Sequence, residues 1–273
     1  MPPTPRRPAR HRSSRRARKG ARIGRGKGVS IVRYAVIGQG YFAQAAVLPA
    51  FAQAPNSRLV ALVSDDDTKL RTLKRKYGAE QTLGYDGYDD LLASGDIDAV
   101  YIALPNDMHR DFAVRAAEAG VHVLCEKPMA LDAEECEAMI GAAERNHVRL
   151  MVAYRLHFEP ANLAAVEAIR KGRIGKVRTF NSTFCFPVAP GNIRTQAERG
   201  GGPLYDIGIY CVNAARYLFQ AEPVDVVARM AASGDPRFRE VEETVSAILT
   251  FPGDRIASFT ASYGAASTAW YEV

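Results

Sequence analysis

From Ser30 onward, apolar runs of strand length alternate with stretches whose apolar residues recur at helical spacing. The pattern predicts strands at Ile31–Ile37, Leu59–Val63, Ile97–Leu104, Val121–Cys125 and Leu150–Ala153. Between them it predicts helices at Tyr41–Phe51, Thr68–Lys76, Tyr88–Ala93, Asp111–Ala119 and Ala133–Arg145. Pro49 has no amide hydrogen to donate, so it is expected to break or kink the last turn of the first helix. Near-continuous apolar strands separated by helices of this size imply βαβ units and a parallel sheet covered on both faces. Residues 30–153 are therefore expected to form a doubly wound α/β domain.

After Tyr154 the rhythm changes. A helix over Pro160–Lys171 leads to a long strand, Val177–Phe186, then to a loop rich in Pro and Gly and a helix from about Leu204 to Leu218. Three more strand-like runs, Val224–Ala231, Thr244–Phe251 and Ile256–Tyr263, follow with short turns such as Pro252-Gly253-Asp254. Strands joined this closely favour antiparallel pairing. Residues 154–273 are expected to form an α+β domain with a mostly antiparallel sheet.

Charge adds a third segment. The chain of 273 residues has a net charge of +6, but residues 1–29 hold nine Arg and two Lys with no acid. The remainder carries 25 bases against 30 acids, so the folded body is mildly acidic. Residues 1–29 offer few apolar groups to offset the entropy of ordering and are expected to be a disordered basic arm. Nucleic-acid binding through that arm is the least favoured reading, because no basic patch or recognition motif extends into the body. No run approaches the roughly 18 to 20 apolar residues that span a bilayer. The four cysteines, Cys125, Cys136, Cys185 and Cys211, lack metal-ligand spacing and fit free thiols in a reducing cytoplasm.

The chemistry concentrates at strand ends. The first strand runs into Gly38-Gln39-Gly40-Tyr41-Phe42-Ala43, a G-x-G-x-x-A turn that opens a helix. Gly38 permits the tight turn, Gly40 lets backbone approach a pyrophosphate, and Ala43 packs helix on strand. Ser64 ends the second strand where an acid would bind an unphosphorylated ribose, and Lys69 lies within reach from the next helix. These two favour NADP over NAD, although Asp65 is one residue on and Asp65–Asp67 also reads as a helix cap. Further tips read Leu104-Pro105-Asn106-Asp107-Met108-His109 and Cys125-Glu126-Lys127-Pro128. Pro128 disfavours the α region at Lys127, so the lysine is expected to project from its strand. Later, Gly200-Gly201-Gly202 precedes a helix on which Asp206 and Tyr210 share a face.

Taken in order, these residues, with Tyr154-Arg155, resemble the glucose–fructose oxidoreductase, inositol dehydrogenase and rhizopine-catabolism (Gfo/Idh/MocA) family over about residues 33–265. Tyr at position 210, where most of that family has His, resembles the branch of glucose–fructose oxidoreductase, dihydrodiol dehydrogenase and NADP-dependent xylose dehydrogenase. The resemblance implies Lys127, Asp206 and Tyr210 as catalytic residues and Arg194, with Tyr210, as substrate-binding. It also implies a cofactor site of Gly38, Gly40, Tyr41, Phe42, Ala43, Ser64, Lys69, Leu104, Pro105, Asn106, His109, Glu126, Lys127 and Arg155. The expected activity is NADP-dependent hydride transfer to or from a hydroxyl or carbonyl of a sugar or polyol, with no metal. A nucleotide-binding regulator or inactive fragment is the alternative. Family members continue several dozen residues beyond the position of Val273, so the second sheet, expected to mediate homo-oligomerisation, is also expected to end in an exposed apolar edge.

Overall fold

A computed structural model describes residues 30–273, and the expected disorder of the basic arm lies outside the described residues. The first domain is a parallel sheet of β1 (Val32–Ile37), β2 (Ser57–Val63), β3 (Gln81–Leu83), β4 (Ala99–Ile102), β5 (His122–Glu126) and β6 (Leu150–Ala153). Their spatial order is β3-β2-β1-β4-β5-β6, so the chain reverses direction across the sheet at β1 and β4. β3 has only three half-buried residues, too short a run for alternation to reveal.

Burial on both faces explains the apolar strands. Val36 and Leu62 pack beneath α1 (Leu48–Phe51) and α2 (Asp67–Tyr77) together with Leu48, Leu70 and Leu73. Ala35, Ile37 and Val100 face the opposite layer, formed by α3 (Tyr88–Ser94), α4 (His109–Glu118) and α5 (Ala133–Arg145). Asp66 caps α2 by accepting the Lys69 amide at 2.8 Å, and Asp132 caps α5 in the same way through Glu135. Pro49 does not end the first helix. The turn widens to π geometry over Ala43–Val47, with the Leu48 amide donating to the Ala43 carbonyl, and helix continues to Phe51. The widened register accommodates the missing proline donor.

The second domain begins with α6 (Pro160–Arg170) and β7 (Thr179–Cys185). A second π segment, Leu204–Gly208, runs into α7 (Ile209–Phe219), followed by β8 (Asp225–Ala231), β9 (Thr244–Phe251), β10 (Arg255–Ser262) and β11 (Thr268–Glu272). The sheet order is β11-β7-β10-β9-β8. β10 pairs antiparallel with β9 but parallel with β7, so the sheet is mixed rather than uniformly antiparallel. β11, which the apolar pattern missed because Thr268–Glu272 is mostly exposed, pairs antiparallel with β7. Phe180, Leu249, Phe251 and Phe259 pack beneath Ile207, Ala215 and Leu218. β8 forms the opposite edge and exposes Val226, Val227 and Met230. No helix among the described residues is long and apolar enough to cross a membrane.

The turn after β1 is where the fold most constrains a residue. Gly38 has φ +89°, and a Cβ there would lie 2.6 Å from the Ala103 carbonyl oxygen, whereas a Cβ on Gly40 would meet nothing within 4 Å. Gly38→Ala is therefore expected to destabilise the fold by about 2 kcal/mol, read from the urea midpoint. Gly40→Ala should stay within about 0.5 kcal/mol of the parent. Equal midpoint shifts for the two variants would refute this assignment of strain.

Candidate active site

Five strand ends converge on one edge of the first sheet. Gly38 follows β1, Ser64 follows β2, Leu104 and Pro105 follow β4, Lys127 follows β5, and Tyr154 and Arg155 follow β6. This is the edge at which open α/β sheets bind ligands. Ala43 is buried beneath the glycine turn, while Tyr41 and Phe42 stand exposed above it. Gly38 touches Ala103 and Gly40 leaves its outer side open, which is the cradle that a pyrophosphate needs at a helix start. The residues present thus fit a dinucleotide.

At the end of β2, Ser64 is buried and accepts the Asp66 amide at 3.3 Å, and Asp65 is exposed. Lys69 pairs with Asp66 at 3.2 Å instead of reaching towards Ser64. The ends of β4 and β5 are tied together by His109, a residue expected to touch cofactor. It is fully buried, with Nδ1 2.9 Å from the Pro128 carbonyl and Nε2 2.9 Å from the Leu104 carbonyl. Both ring nitrogens are occupied, and burial lowers its pKa. His109 therefore acts as a strut inside the two turns and has no ring nitrogen to offer a ligand. The Lys127–Pro128 peptide bond is cis. Asn106 donates Nδ2 to the Gly200 carbonyl at 3.1 Å, joining the β4 turn to the glycine loop of the second domain. Arg155 is exposed beyond β6, two residues past Ala153, which pairs with Glu126.

Lys127 crosses to the second domain. Its Nζ donates to Asp206 Oδ1 at 2.8 Å and to the Asp206 main-chain carbonyl at 2.7 Å. The same ammonium lies 4.7 Å from the centroid of the Tyr210 ring. The three residues expected to be catalytic are thus brought together, with lysine above the tyrosine face. Asp206 lies in the π segment before α7, where a side chain drawing on a main-chain carbonyl is a known cause of a widened turn. Arg194, from the 3₁₀ turn Ile193–Thr195, donates Nε to Asp206 Oδ2 at 2.7 Å. Burial pushes the Asp206 carboxyl up, but Lys127 and Arg194 outweigh it and hold the group below the ordinary carboxylate range. The glycine loop packs backbone on backbone, since a Cβ on Gly201 would lie 2.5 Å from the Arg194 carbonyl.

Two tyrosines join the site without an expected role. Tyr101 donates its hydroxyl to Glu126 Oε1 at 2.5 Å, and Tyr263 donates to Asp206 Oδ2 at 2.9 Å. Burial raises Glu126 above the usual carboxylate range, against the opposing pull of the Tyr101 hydroxyl and Lys127. The usable signal was a phenol inside or at the end of an otherwise apolar strand, since a buried tyrosine hydroxyl needs a partner. The partner itself was not legible. Among the described residues no His, Cys, Asp and Glu cluster could hold a metal ion.

Comparison with known proteins agrees with this fold. Residues 32–154 match the oxidoreductase family with an NAD-binding Rossmann fold, and residues 162–273 match the GFO/IDH/MocA C-terminal domain. An NADP⁺ D-xylose 1-dehydrogenase of Haloarcula marismortui is 35% identical, across 86% of this chain and 67% of its own length. The crystal structure of an aldose-aldose oxidoreductase from Caulobacter crescentus, complexed with glycerol, superposes with a TM-score of 0.84 at 41% identity, covering 86% of this chain and 72% of that one. A 3-ketoreductase from Actinomadura kijaniata, crystallised with NADP and TDP-benzene, is 33% identical with a TM-score of 0.78, covering 89% and 73%. With both of its domains matched, the chain belongs to the GFO/IDH/MocA family of oxidoreductases.

Proposed function

We propose that the chain is an NADP-dependent enzyme acting on a hydroxyl or carbonyl of a sugar or related polyol. The observation that carries this reading is the Lys127 ammonium, anchored by Asp206 and 4.7 Å above the Tyr210 ring. An ammonium has three donors. Two go to Asp206, which leaves one for the oxygen of a substrate beside Tyr210. The nicotinamide, when bound, supplies the carbon that accepts or returns hydride. In the direction of oxidation the substrate hydroxyl gives its proton to the Tyr210 oxygen while its carbon loses hydride. In reduction Tyr210 returns that proton to the new alkoxide. The Lys127 ammonium beside Tyr210 is the cation at the site of this proton transfer. The same cation stabilises negative charge on the substrate oxygen.

Ser64 supports NADP over NAD because the position from which an acid would bind the ribose carries a hydroxyl, with the Asp65 carboxylate one residue on. The Lys69–Asp66 pair is partly exposed, and such pairs contribute about 0–1 kcal/mol, so a phosphate can compete for the lysine. The relatives named with NADP support the same choice. On the second domain, Val227, Ile248 and Trp270 line one exposed sheet face, which supports association of two copies there. Free Cys125, Cys136, Cys185 and Cys211 support a reducing, cytoplasmic setting.

Tyr210→Phe keeps the ring beneath the ammonium and should lower kcat by about 10²–10⁴, with NADP affinity unchanged. Lys127→Ala should cost at least as much, and the double variant little more than the worse single one. Steady-state rates across a panel of aldoses and polyols check this, and near-normal kcat in Tyr210→Phe removes Tyr210 from the reaction. Titration calorimetry should give tighter binding of NADP than of NAD. Lys69→Ala should weaken NADP alone, and Ser64→Asp should shift the preference to NAD. Equal dissociation constants for the two nucleotides in the parent would overturn the NADP assignment.

A further inference from the structure

The donors around Asp206 are divided unequally between its two oxygens. Oδ1 receives Lys127 Nζ at 2.8 Å, whereas Oδ2 receives both Arg194 Nε at 2.7 Å and the Tyr263 hydroxyl at 2.9 Å. Tyr263 follows β10 directly and is fully buried, and its hydroxyl is also 3.2 Å from the Gly202 carbonyl. One hydroxyl has one hydrogen, and the shorter contact to a carboxylate claims it. A Lys127–Asp206 pair on its own would be electrically neutral and would present Tyr210 with little more than a dipole. Arg194 changes that balance, because two cations now share one anion.

We propose that Arg194 and Tyr263 are positioning residues that occupy Asp206 Oδ2, confine Lys127 to Oδ1, and offset the Asp206 charge so that the ammonium beside Tyr210 acts as a cation. The inference rests on the reading of Tyr210 as proton acceptor. It gives Arg194 a task on Asp206, in addition to the substrate contact that the resemblance implied. It also gives a task to Tyr263, a residue in no motif.

The groups packed around the pair come from both domains. Tyr210 is faced by Lys127 from the β5 end, by Tyr154 at 5.3 Å between ring centroids and by Phe184 of β7 at 5.5 Å. Tyr101 and Arg194 also lie close enough to act on it electrostatically. Burial, then Asp206, pushes Tyr263 far above the usual phenol range, with Glu242 acting in the same direction. Burial raises Tyr154, and burial with Glu126 raises Tyr101, so all three stay neutral donors. His157, 4.7 Å from the Tyr154 ring, is lowered by burial and so is neutral on the basic side. Cys211 follows Tyr210 on α7 and is pushed up to about 11.

The test is the pH profile of kcat/KM for oxidation at saturating NADP. In the parent the rate should rise with pH through one basic-side ionisation. Arg194→Met should move this ionisation up by about one unit, the size expected for loss of one nearby cation, and lower the rate at pH 7 about tenfold. Arg194→Lys, which keeps the charge, should restore most of the shift. Tyr263→Phe keeps the packing and should move the ionisation in the same direction by about half a unit. An Arg194→Met enzyme with a raised KM and an unmoved ionisation would assign Arg194 to substrate alone and overturn the inference. A Tyr263→Phe enzyme with a lower melting temperature and an unmoved profile would likewise make Tyr263 structural and overturn its part. Tyr210→Phe separates the two levels. If it abolishes the ionisation while the other variants leave it in place, only this inference fails; if it keeps kcat and profile, the proposed base fails and the inference with it.

Discussion

A carboxylate enclosed between two domains must be neutralised, and the arrangement of Asp206 follows from that requirement. Its side chain is only 14% exposed, and an unpaired buried charge costs several kcal/mol. Lys127 supplies one cation from the end of β5, and Arg194 supplies another from the turn ahead of the glycine loop. Because Lys127 belongs to the first domain and Asp206 to the second, satisfying the charge also sets the two domains in register. The ammonium over Tyr210 is a by-product of the same contact. Removing either partner therefore disturbs the domain contact and the placement of the ammonium together.

The lysine can reach Asp206 because its own strand end is rigid. His109 is buried between the turns after β4 and β5, with one ring nitrogen 2.9 Å from a carbonyl oxygen of each. Kept neutral by burial, the ring has one N–H and satisfies one of the two carbonyls, whose loss as an unpaired acceptor would cost about 1–3 kcal/mol. Tyr101 braces the same end from β4 by bonding Glu126, the residue just before Lys127. The strand tips thus form a fixed platform. The glycine turn and its helix start lie on that platform at the point where the strand order reverses, so a dinucleotide seated there would extend towards Lys127.

The second domain contributes through local irregularity. Asp206 and Tyr210 do not sit on one regular helix, since Leu204–Gly208 is π-helical and α7 begins at Ile209. The widened turn coincides with the Asp206 carbonyl that accepts Lys127. The mixed sheet beneath fills the core against α7 and delivers Tyr263 from β10 to the underside of Asp206.

What the chain declares locally, it declares well. Alternating apolar runs and helical periods located Ala133–Arg145, Leu150–Ala153 and Thr244–Phe251 at their observed bounds. The G-x-G-x-x-A turn and Glu126-Lys127-Pro128 were legible because their backbone demands are carried by adjacent residues. The N-cap role open to Asp65–Asp67 was also written locally, and Asp66 takes it. Tertiary structure decided matters that depend on residues far apart in sequence. It enclosed His109 and paired β10 parallel with β7 across a separation that no turn residue encodes. It also brought Tyr263 to Asp206 across 57 positions. Side-chain partners of that kind follow from sheet register and from the need to satisfy buried polar groups, and neither is fixed until the chain has folded.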